Sequence, residues 1–79
     1  MVLDILIKDA KEAEQLNLEA TKIDDILWVH ADDGRIMVDA RSLIGLYALV
    51  NIPSKLVAED NANPMTLSYV AKKSGVNID

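Results

Sequence analysis

The sequence predicts an α+β fold with the element order β-α-β-β-α-β-α: an open-faced sandwich in which a four-stranded antiparallel sheet carries three helices on one face. Three observations predict it. From Ile36 to Val50 an apolar period of two gives way to a helical one, with Ser42 at the junction, so a strand passes into a helix there. The Asp33–Gly34 step between two apolar runs marks a hairpin, since glycine supplies the positive φ such turns need. Helix-start signals recur at Asp9–Glu12 and at Asn63–Pro64. Helices that each bury one stripe can cover one face of a sheet and leave the other open.

The first strand is Val2 to Ile7, with Leu3, Ile5 and Ile7 on one face and Asp4 and Lys8 on the other. Val2 and Leu6 leave apolar groups on that second face as well. Asp9 then caps the first helix, because an acidic N-cap can bond the third helical N–H while Glu12 reaches back. Ala10, Ala13, Leu16 and Ala20 form its inward stripe, with Lys11, Glu12, Glu14, Gln15 and Glu19 in solvent. The second strand is Ile26 to Ala31, Asp32 to Arg35 form the turn, and the third strand is Ile36 to Ala40.

The Ser42 hydroxyl can accept from a free N–H of the first turn, which makes Ser42 the N-cap of the second helix. That helix should run to Val50 or Asn51, and Pro53 blocks its continuation. Lys55 to Glu59 is the fourth strand. Asn63 caps the last helix, Pro64 opens it, Leu67, Val70 and Ala71 are its buried stripe, and Gly75 stops it. The tail Val76 to Asp79 is expected to fray.

With 79 residues the chain is one domain, residues 1–79. A domain of this size buries only about 60–65% of the surface its unfolded form exposes, so the core is thin. The absence of cysteine excludes disulfides and thiolate metal sites. Thirteen acidic residues against 8 basic give a net charge of −5, and no basic cluster exceeds Lys72–Lys73, which disfavours nucleic acid as a partner. No apolar run approaches the roughly 20 residues that cross a bilayer, and no membrane association is expected. A soluble, cytoplasmic protein is the expectation.

Few residues offer chemistry. Ser42 is either a cap or a phosphoacceptor, since a phosphate at a helix N-terminus meets free N–H groups and a favourable dipole, and Arg41 could pair with it. His30 is the only histidine and has no carboxylate or second histidine at ligand spacing. The pairs Asp24–Asp25, Asp32–Asp33 and Glu59–Asp60 fall in turns or strand ends, where adjacent carboxylates usually face water. Trp28 alternates with Leu27 and Val29, so it faces either the core or the open side of the sheet. On the open side, with Leu6, Met37 or Val57 nearby, it would anchor an interface or a homodimer. No catalytic triad, phosphate loop or metal motif is present, and neither enzyme activity nor a cofactor is expected.

The run Ser42 Leu43 Ile44 Gly45 Leu46 Tyr47 Ala48 Leu49, together with the element order, resembles the histidine-containing phosphocarrier protein family, HPr, of the bacterial sugar phosphotransferase system. In that family a basic residue and a serine precede an apolar, glycine-containing helix; Asp33 Gly34 Arg35 is similar to the preceding hairpin and Lys55 to Glu59 to the fourth strand. The resemblance implies a docking face for partner proteins around Ser42, Ile44, Tyr47 and the N-terminus of the first helix. It implies regulatory phosphorylation at the position of Ser42. It also implies a phosphate-accepting histidine in a Gly-x-His-x-Arg-Pro loop, but that place holds Ile7 Lys8 Asp9 Ala10 Lys11. Phosphoryl relay needs an imidazole and nearby positive charge, so the carrier activity is expected to be absent. A non-catalytic regulatory or interaction domain is then the leading expectation. The alternatives are a phosphoacceptor at Ser42 or His30, and a structural module that self-associates through its open sheet face.

Overall fold

A computed structural model describes residues 1–78 of the chain. The elements are β1 (Val2–Leu6), α1 (Ala10–Thr21), β2 (Leu27–Ala31), β3 (Met37–Asp39), α2 (Leu43–Tyr47), β4 (Ser54–Ala58), α3 (Thr66–Ser74) and β5 (Asn77–Ile78). The first seven follow the expected order.

The sheet has five strands rather than four, antiparallel throughout, in the order β3-β2-β4-β1-β5. The tail expected to fray supplies the fifth, pairing Ile78 with Ile5 and Asn77 with Leu6. Gly75 is the reason. At φ 78° it closes its N–H onto the Ala71 carbonyl at 3.1 Å, and the reversed chain then buries Val76. Asp79, the last residue of that expected tail, lies outside the described residues.

Three other differences have local causes. α2 stops at Tyr47, because Leu49, Val50 and Ile52 bond carbonyls three residues back and the helix tightens and unwinds. Asn51, at φ 65°, then turns the chain and donates its N–H to Ile7 O at 2.7 Å. α3 starts at Thr66, not Pro64, because the Asn63 side chain accepts from the Met65 N–H at 2.9 Å and holds a separate turn. In α1, Ala10 is exposed while Glu19 is buried and reaches Lys22 Nζ at 3.2 Å, so the inward stripe is Ala13, Leu16, Glu19 and Ala20.

The core lies between the sheet and the helices. Ile5, Leu27, Val29 and Leu56 meet Leu16, Leu46 and Val70, all at 1% exposure or less. No aromatic ring enters it: Trp28 is half-buried, and Tyr47 and Tyr69 are exposed. Packing therefore rests on aliphatic shape alone, and α2 comes close to β3 at Gly45. A Cβ built on Gly45 would lie 2.8 Å from Val38 Cβ and Cγ1, so only glycine lets the two elements approach this closely.

Candidate functional site

The junction of β1 and α1 is closed by its own side chains. Asp9, extended at φ −156°, accepts the Glu12 N–H at 2.9 Å, and Glu12 in return accepts the Lys8 N–H at 2.9 Å. Lys8 Nζ adds an ion pair with Glu12 at 3.4 Å. One first-turn donor that could meet an anion, the Glu12 N–H, is thus taken by Asp9, and the two carboxylates at this helix N-terminus would repel an anion.

At the second helix, Ser42 Oγ accepts a long 3.4 Å bond from the Gly45 N–H and is exposed. Asp39 organises the turn before it: its Oδ1 accepts the Arg41 N–H at 2.8 Å, and its carboxylate holds the Arg41 guanidinium at 3.4 Å. The Arg41 N–H, with burial opposing and the guanidinium assisting, holds the Asp39 carboxyl below its ordinary value. Arg41 is thus committed to Asp39 rather than aimed at Ser42. Since the Asp39 pKa is depressed in the folded state, this turn stabilises the fold above the ordinary carboxylate range and loses that contribution as pH falls.

Ile44 projects from α2 at 83% exposure. Tyr47, one turn on, donates its hydroxyl to Glu14 Oε2 at 2.7 Å and ties α2 to α1. The Asn17 side chain ties α1 to the turn before α2, donating to Ala40 O at 3.2 Å. The bond to Glu14 raises the Tyr47 pKa, with desolvation adding to it. A phenol whose folded pKa is raised contributes stability below its unfolded value and loses it as pH rises through the folded one. In a Tyr69→Phe background, alkaline titration of phenolate absorbance should give a midpoint above the ordinary tyrosine value, and Glu14→Ala should bring it down toward that value. A midpoint unmoved by Glu14→Ala would contradict the bond.

The structure places Trp28 on the open face, opposite the buried Leu27, Val29 and Ala31. Register aligns two rows across that face. Asp39, Trp28, Val57 and Val2 form one, and Met37, His30, Lys55 and Asp4 the other. The first is largely apolar. The second is centred on Lys55, whose ammonium reaches Asp4 at 2.7 Å and Asp32 at 3.2 Å; both carboxylates raise its pKa. His30 sits between Met37 and Lys55 and has no carboxylate across from it on either neighbouring strand.

The two acidic pairs Asp24–Asp25 and Glu59–Asp60 are drawn partly together, with Asp24, Asp25 and Glu59 lining a recess of about 190 Å³. Among the described residues, no three His, Cys, Asp or Glu side chains form a metal-binding group. Also among these residues, no helix is long and apolar enough to cross a membrane.

Of the residues singled out from sequence, Ser42 and Arg41 share one turn, Ile44 and Tyr47 lie on the helix that follows, and Trp28 and His30 lie on the open sheet face. Sequence reasoning missed Glu14 as the partner of Tyr47, since the two are 33 residues apart and no local pattern joins them. Asp39 was findable: an Asp two residues before an Arg in a turn is the pattern in which the carboxylate accepts the second N–H. Compared with known proteins, the chain matches no family model, and no curated protein matches it.

Proposed function

We propose that this chain is a non-catalytic, HPr-like interaction domain, related to the phosphotransferase system but lacking its phosphocarrier site. The observation that carries the reading is the β1–α1 junction, where Asp9 caps the helix on the Glu12 N–H, Glu12 accepts the Lys8 N–H, and two carboxylates stand where the resemblance puts a histidine. A domain with this element order and an acidic first-helix N-terminus has surfaces to offer, not a reacting group. The surface it offers in this reading is the exposed Ile44 with Ser42 and Tyr47, beside α1. Partners are then phosphotransferase-system or regulatory proteins, met in the cytoplasm of a bacterium.

One observation favours a second reading. Ser42 Oγ is exposed and only loosely held, so a kinase could reach it. Against it, α2 has five residues, too few for a strong dipole, and Arg41 is already paired. Incubation with the family's phosphorylating enzymes, read by intact mass, separates the two: an unmodified chain is expected, and one added phosphate would favour the second.

A further inference from the structure

The outward face of α3 carries a row of large side chains. Met65, Ser68, Tyr69 and Lys72 are exposed at helical spacing, Met65 at 69% and Tyr69 at 51%, while Leu67, Val70, Ala71 and Ser74 face the core. Lys73 lies over the Tyr69 ring, 5.9 Å from its centre. Beside Met65 and Tyr69 runs an open groove of about 280 Å³, lined also by Ile23, Asn63 and Thr66. The two ends of this stripe carry opposite charge. Lys72 and Lys73 close the C-terminal end, whereas Asp25 is bonded to Thr66 at the N-terminal end at 3.1 Å, with Asp24 and Glu59 sharing its recess.

An apolar centre with one acidic and one basic end is complementary to itself under a two-fold rotation. We propose that α3 is the contact of a weak symmetric homodimer in which two copies pair antiparallel about Tyr69. Four residues of helix span about 6 Å, so with Tyr69 on the axis the second copy's Lys73 falls opposite Met65, its stem over the groove and its ammonium toward Asp24 and Asp25. The same contact repeats at the other end. Self-complementary charge selects this chain itself as the occupant, because a uniformly basic or acidic partner would be attracted at one end and repelled at the other. The open sheet face fits a second copy less well: Lys55, Asp4 and Asp32 would have to be desolvated at its centre. A standard stable interface takes about 800 Å² from each partner, about a sixth of this chain's 4577 Å². One short helix supplies less, so association is concentration-dependent.

Each exposed ion pair is worth up to a few-fold in affinity, and the two-fold doubles every one. Sedimentation velocity on the full chain, from micromolar to millimolar at low salt, should show a monomer–dimer shift that weakens as salt is raised. Lys72→Glu/Lys73→Glu should weaken it more than about tenfold, and Asp24→Lys/Asp25→Lys likewise, with circular dichroism confirming that both fold. Mixing the two variants should restore a dimer, because each then supplies the end the other lacks. A wild-type monomer throughout, a dimer indifferent to the lysine reversals, or a dimer abolished by Trp28→Ala would overturn the proposal.

Discussion

Gly45→Ala should lower the thermal midpoint, although alanine is the better helix former by about 1 kcal/mol. The added Cβ would stand 2.8 Å from Val38 Cβ and Cγ1 and 3.3 Å from Ser42 Oγ. Val38 cannot swing away, since its Cβ is fixed to a strand paired with Val29. Overpacking of this kind costs roughly 1–3 kcal/mol. The net loss is up to about 2 kcal/mol, or as much as roughly 15 °C in a domain this small. Val38→Ala in the same chain should recover only part of it, because it removes Cγ1 and leaves the Cβ contact. Thermal denaturation followed by circular dichroism checks both; a midpoint raised in Gly45→Ala would mean that α2 does not lie this close to β3.

Leu46→Ala should be the more damaging change. Leu46 is fully buried and is the one residue through which α2 enters the core. Deleting such a side chain costs about 2–5 kcal/mol, against a total of roughly 4–12 kcal/mol for a chain of this length. Denaturant unfolding should show a large drop in midpoint, with partial unfolding at ambient temperature at the upper end of the range. Ile44→Ala, two residues away on the same helix, is the control: at 83% exposure it should stay within about 0.5 kcal/mol of the parent. Equal losses at the two positions would contradict the orientation of α2, and with it the exposure of Ile44 as a contact residue.

The parts of the fold legible in the sequence are those set by local chemistry. Asp9 and Ser42 cap the helices they were expected to cap, because each accepts an N–H three residues on. Gly34 and Gly75 turn the chain where they were expected to, both at φ 78°. Illegible parts depended on what lay across the sheet. The tail reads as a frayed end until β1 offers it an unpaired edge, and two residues are too short to carry a period. α2 reads as about one turn longer because Leu49 is apolar at helical spacing, yet Leu49 is buried from a tightened turn instead. Trp28 could not be placed from alternation, since both faces of its strand are apolar; the side taken by the helices decides it. For the candidate site, position was readable and partnership was not. Ser42, Arg41, Ile44 and Tyr47 follow one another in sequence, whereas Glu14, which binds Tyr47, comes from another element.

The central claim, that this is an interaction domain with no phosphoryl-accepting group, turns on the side chains of Asp9, Ser42 and His30. The most direct measurement is intact-mass analysis of the full chain after incubation with the HPr family's phosphoenolpyruvate-dependent enzyme and, separately, with its serine kinase and ATP. A genuine family member should be phosphorylated in parallel as the positive control. The mass is expected to stay unchanged in both reactions. One added phosphate, mapped by fragmentation to His30 in the first or to Ser42 in the second, would contradict it.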